Sequence, residues 1–137
     1  MSDKVKKYLF ALIMFIAAAC SSPQAELKES AEQKASDAAE SFYRNLYNGD
    51  YEAFLNGKVN AENMPESYRK ALITSYKQHV ATVKEQHRGV KDVEATRAKM
   101  DTTLQLMQVF LLLQYGDSLQ EEIVVPMVEQ EGEWKLK

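Results

Sequence analysis

Leu104-Gln-Leu-Met-Gln-Val-Phe-Leu-Leu-Leu-Gln-Tyr115 is the most apolar run beyond the first twenty residues. Its length suits a buried helix as well as a strand, so periodicity alone does not choose. The residues after it do. Gly116-Asp117-Ser118 is a turn, and Leu119–Glu129 then alternates, with Ile123, Val124 and Val125 in its middle. Two such runs joined by a short Gly/Asp turn predict a β-hairpin. A break in alternation around Met107–Phe110 suggests either a bulge in that strand or burial on both of its faces. Glu131-Gly132 forms the next turn, and Glu133–Lys137 reads as a short last strand anchored by Trp134 and Leu136. Pro126 cannot donate to a ladder, which places its part of the strand at an edge or a bulge.

Upstream of the hairpin, Val93, Ala95 and Arg97 alternate with Glu94, Thr96 and Ala98, predicting one more strand after Gly89. Before Gly89 the period is helical. Ala35, Ala38, Ala39, Phe42 and Leu46 make one apolar stripe. Asn48-Gly49 stops that helix, and Asp50 caps a short second one over Tyr51–Leu55. Asn63-Met-Pro-Glu66 looks like a capped third start, with a capping side chain three residues before a glutamate. Tyr68, Leu72, Tyr76, Val80 and Val83 would line one face of a helix running to about His87. Helices first and an antiparallel meander after predict an α+β domain of N-terminal helices on a curved sheet of about four strands.

The N-terminus carries an address. Lys4, Lys6 and Lys7 precede an apolar run, Leu9–Ile16, which leads to Ala17-Ala18-Ala19-Cys20. A basic start, a short apolar stretch and small residues before a cut site make a secretory signal. The run is well short of the roughly 20 residues of a spanning helix. Ala18, Ala19 and Cys20 resemble the bacterial lipoprotein lipobox, with Ala17 where leucine is more usual. That resemblance implies cleavage before Cys20 and acylation of its sulfur and amino group. Several acyl chains anchor durably, at about 0.8 kcal/mol per buried methylene. The implied organisation is a signal peptide over 1–19, a lipidated N-terminus and tether over 20–34, and a domain over 35–137. The implied location is the bacterial cell envelope; by analogy with sorting rules, Ser21 after the cysteine favours the outer membrane.

Removing Lys4, Lys6, Lys7 and Asp3 with the leader leaves 14 Lys+Arg against 19 Asp+Glu, a net charge of −5. An acidic exported domain is a poor nucleic-acid binder, which needs concentrated positive charge. Cys20 is the one cysteine, so no intrachain disulfide supports the core.

Phe42-Tyr43, Leu46 and Asn48-Gly49-Asp50-Tyr51-Glu52-Ala53 give a helix broken at Gly-Asp before a short second helix. Gly116-Asp117-Ser118, Val124-Val125 and Glu131-Gly132-Glu133-Trp134-Lys135 give the closing hairpins. In these features the chain resembles small bacterial lipoproteins whose mature domain has the cystatin-like fold of the nuclear transport factor 2 superfamily. The resemblance implies a sheet curved around the first long helix, leaving a cone between them. Phe42, Leu46, Tyr76, Leu111, Leu113 and Tyr115 are the candidate lining of that cone. Superfamily members include enzymes, binding modules and dimerisation domains, so the fold leaves function open.

A lyase or isomerase would need an acid or histidine inside the cone, with a tyrosine or second acid beside it. Tyr43, Tyr47, Tyr76, Tyr115, His79 and Arg97 are available as residue types, with no spacing that ties an acid to them. His79 and His87 lie about 80° apart on their helix, and no further ligand completes a metal set. No metal and no cofactor are expected. Lys70, Lys77 and Lys84 share a helix face with Arg88 close by. That face meets anionic headgroups or an acidic partner on one reading and is simply solvated on the other, Glu66 pairing with Lys70. Met100, Met107 and Met127 read as packing. The sheet's second face is a candidate for homodimerisation. Three functions are open to such a chain: binding of a small apolar ligand or protein partner, lyase or isomerase chemistry, and an accessory subunit with a closed core.

Overall fold

The structure, a computed structural model, describes residues 29–137. The segment read as a signal peptide, the acylation site Cys20 and the tether up to residue 28 lie outside the described residues.

The apolar stripe of the first helix does what its spacing predicts. Helix α1, Ala31–Tyr47, buries Ala35, Ala39 and Leu46 and packs Ala38 and Phe42 beside them. It opens a full turn before that stripe begins. Gly49 ends it in a left-handed conformation (φ 90°), and the Asp50 N–H returns to the Asn45 carbonyl at 2.8 Å. Asp50 then caps α2, Tyr51–Asn56, accepting the Ala53 N–H at 3.1 Å. Gly57 lets the chain pass against α1, since a β-carbon there would sit 2.6 Å from the Phe42 ring.

The third helix starts differently from what its sequence predicts. Asn63 closes a 3-10 turn over Ala61–Asn63, and Pro65 holds the cap position of α3, Glu66–His87, without a side-chain cap. The reason is local. A residue before proline is driven extended, and Met64 is extended (ψ 132°). That step separates Asn63 from the helix it was predicted to cap.

Four antiparallel strands come next, in sequence order: β1 Val90–Asp101, β2 Leu106–Tyr115, β3 Gln120–Gln130 and β4 Glu133–Leu136. Most of the apolar run Leu104–Tyr115 is therefore a strand of the central hairpin. Its alternation is intact: Met107, Val109, Leu111, Leu113 and Tyr115 are buried, and Gln108, Phe110, Leu112 and Gln114 are half-buried on the other face. The bulge lies on its neighbour instead. Ala95 faces Leu111 while Arg97 faces Phe110, leaving Thr96 as an extra residue in β1. This slip overturns the predicted alternation. Ala98 turns inward with Val93 and Ala95, and Arg97 turns outward, its guanidinium 3.9 Å from the Phe110 ring centroid.

β1 is an edge strand, and α1 caps that edge. Arg44 donates to the Val93 carbonyl at 2.9 Å and Glu40 accepts the Ala95 N–H at 3.0 Å, while the two side chains pair at 2.8 Å. Two backbone groups of that edge, which would otherwise template a foreign strand, are satisfied in this way. Pro126 has the other edge. β4 pairs with β3 only over Met127–Gln130, and the Pro126 carbonyl accepts the Lys137 N–H at 3.1 Å. A strand residue's N–H and C=O point the same way, so the donor proline lacks faces the position just past the end of β4.

The helices pack on one face of the sheet. Leu46, Phe54, Val80, Val83, Val93, Met107, Val109, Leu111, Leu113, Val125, Met127 and Leu136 form a single cluster there. Met107, Val109, Leu111 and Met127 are 0% exposed, so no space large enough for a water molecule touches them.

Candidate functional site

The six residues predicted to line the cone converge in that cluster. Leu46, Leu111, Leu113 and Tyr115 are buried core, and Phe42 and Tyr76 are half-buried against it. Aromatic rings extend the packing toward the helices. Phe54 meets Tyr43 and Tyr76 edge-on at 5.2 and 4.9 Å between centroids, and Tyr43 leads on to Tyr47 at 6.4 Å.

Polar groups collect at the mouth, where the end of α1, the end of α3 and the β2–β3 turn meet. The Tyr47 hydroxyl lies 3.0 Å from His79 Nε2. The Tyr115 hydroxyl donates to the Glu121 carboxylate. The His87 ring stacks on the Tyr115 ring at 4.3 Å, with its Nδ1 2.9 Å from Asp117 Oδ2. His79 and His87 thus serve two separate pairs. Arg97 stands on the opposite face of the sheet, and Lys70, Lys77 and Lys84 are exposed along α3.

Electrostatics keep the two rim phenols protonated. Burial, then the hydrogen bond to Glu121, pushes the Tyr115 phenol up to about 12. Burial first, then proximity to Tyr43, Tyr115 and Glu121, raises Tyr47 well above the usual phenol range. Both phenols stay protonated at neutral pH, so they can donate hydrogen bonds and cannot act as bases. The His87 hydrogen bond, against partial burial and aided by the Leu119 N–H, lowers the Asp117 carboxyl below its ordinary value.

That depression fixes a sign. A carboxylate whose pKa is lowered by folding adds stability above its unfolded pKa and loses it as the pH falls through the folded one. Asp117→Asn is therefore expected to shrink the difference in urea stability between about pH 7 and about pH 3. An unchanged difference would show that the pair adds nothing.

The sequence reading missed Glu121, Asp117 and the Glu40–Arg44 clamp. Register could have found the first. Leu113 faces Glu121, which puts Tyr115 diagonally across the same face, within reach of a long side chain.

No family model matches the chain, and no curated protein matches it. One solved structure does. It comes from Campylobacter jejuni, carries the provisional name NTF2-like transpeptidase, and is 16% identical with a TM-score of 0.59 over 73% of this chain and 94% of that one. At that identity the likeness speaks for architecture. Helices followed by an open four-stranded antiparallel sheet, matched over nearly the whole neighbour, make this an α+β domain with the NTF2-like fold.

Proposed function

We propose that this chain is an exported envelope lipoprotein, held on the bacterial outer membrane through acylated Cys20, and that its domain works by docking a protein partner. The observation that carries the docking half is the packed concave side: its central residues have no exposure at all. A small apolar ligand or a lyase substrate would need that space. The neighbour's transpeptidase name suggests a nucleophile activated by a base. Here the two histidines are engaged by Tyr47 and Asp117, and among the described residues neither makes a hydrogen bond to a Ser or Thr hydroxyl.

The docking face is the outer side of the sheet. It carries Phe110, Leu112, Val124, Pro126 and Val128, with Val124 51% exposed. The occupant we favour is a second copy. The apolar strip of this face is bordered by charges of both signs, Glu94, Arg97 and Lys99 on β1 and Glu122 on β3. A standard interface buries about 800 Å² per partner. Val124→Lys is expected to turn a dimer into a monomer in sedimentation velocity without changing circular dichroism. A wild-type monomer at micromolar concentration would remove the dimer reading.

Anchoring has its own test. Cys20→Ala is expected to move the protein from the membrane fraction to the soluble one. Retention in membranes would refute the lipobox reading. No described helix is long and apolar enough to cross a membrane.

A further inference from the structure

A cleft of about 310 Å³ opens between the C-terminal half of α3, the end of α1 and the start of β1, lined by Tyr47, Val80, Val83, Lys84, Arg88 and Val90, with Gly89 at its rim. A second cleft of about 220 Å³ adjoins it through Tyr47 and Val90 and adds Arg44, Lys91 and the carboxylate Asp92. The floor is apolar: Val80 and Val83 belong to the core. The rim is cationic. Lys84, Arg88 and Lys91 have no ion pair among the described residues, whereas Arg44 is already engaged by Glu40 and Asp92.

The backbone at the end of α3 is fixed where Arg88 leaves it. Arg88 occupies the left-handed region (φ 62°), where a side chain other than Gly or Asn is uncommon and persists when its surroundings enforce it. The surroundings here do. The Arg88 N–H caps the Lys84 carbonyl at 3.1 Å, the Gly116 N–H bonds the Gly89 carbonyl at 2.9 Å, and the Asp117 N–H bonds the His87 carbonyl at 3.0 Å. The Lys84 stem runs beside Gly89, which leaves the rim open.

We propose that this cleft binds a small anionic amphiphile, a phosphate monoester or similar anion with a short apolar tail. The anion lies at Lys84 and Arg88, with Lys91 on the adjoining cleft, and the tail lies over Val80, Val83 and Val90. The size falls at the lower end of small-molecule sites, about 300–1,000 Å³. The guanidinium takes a phosphate in two parallel hydrogen bonds, and the lysines add point charge. This site is separate from the outer sheet face and does not depend on the anchor.

The test is isothermal titration of the full chain with hexyl phosphate, inorganic phosphate and hexanol. Hexyl phosphate is expected to bind at least tenfold more tightly than either of the others. Lys84→Gln, on an exposed helix face, and Arg88→Asn, whose side chain tolerates the left-handed backbone, are each expected to weaken it several-fold and together at least tenfold, with unchanged thermal midpoints. Equal affinity for inorganic phosphate, equal affinity of the double variant, or no binding of hexyl phosphate would each overturn the proposal. Lipid discs added as competitors separate two sources of the same chemistry. Competition by phosphatidylglycerol discs and not by phosphatidylcholine discs identifies a lipid headgroup. Competition by neither identifies a soluble ligand.

Discussion

Leu111→Ala is expected to lower the unfolding free energy by about 2–5 kcal/mol. Leu111 sits mid-strand in β2, flanked by Ala95 on β1 and Ile123 on β3, and is 0% exposed. Truncation removes its buried surface and leaves a hole that a rigid sheet on one side and α1 on the other cannot collapse. Urea unfolding of the variant measures the loss. The neighbouring position supplies the control. Phe110 points to the outer face and is half-buried, so Phe110→Ala is expected to cost clearly less despite the larger side chain. Equal costs would mean that the two faces of β2 have been assigned wrongly.

Gly116→Ala is expected to destabilise the domain by about 1–3 kcal/mol through overpacking. A β-carbon at Gly116 would lie 2.5 Å from the Arg88 carbonyl oxygen and 2.9 Å from the Arg88 β-carbon. Those atoms cannot retreat cheaply, because the β2–β3 turn and the α3–β1 corner are tied by two backbone hydrogen bonds. The His87–Asp117 pair adds a third tie. Contact is the cause here, and a comparison with Gly132→Ala separates it from backbone strain. Gly132 has a positive φ of 81°, and a β-carbon placed on it would meet nothing within 4 Å, so its cost is conformational alone, about 1 kcal/mol. Because the same corner positions Arg88, Gly116→Ala is also the variant most apt to disturb the cationic cleft.

What was legible in the sequence was what neighbours decide. The Gly116-Asp117-Ser118 turn made the apolar run a strand, and Asn48-Gly49-Asp50 broke the first helix and capped the second. Pro126 marked where β3 loses its outer partner. The bulge at Thr96 was not legible, because Ala95 and Ala98 are small enough to sit on either face and the apolar pattern of β1 is too sparse to show a slip. The capping signal at Asn63 failed because Pro65 acts on Met64 before it can serve the helix. The rim pairs were hidden for another reason. Tyr115 meets Glu121, and His87 meets Asp117, only after register and the docking of α3 on the hairpin are set. Composition named the residues of the concave side, but whether Leu46, Leu111, Leu113 and Tyr115 leave a space between them depends on how closely α1 seats against the sheet.

That seating is the most direct thing to measure. Crystals of the protein pressurised with xenon report apolar voids of atomic size, since dry apolar cavities take up the gas. The expected result is no xenon between α1 and β2. Xenon, or a carried-over ligand, among Leu46, Leu111, Leu113 and Tyr115 would contradict a closed interior and return function to the cone.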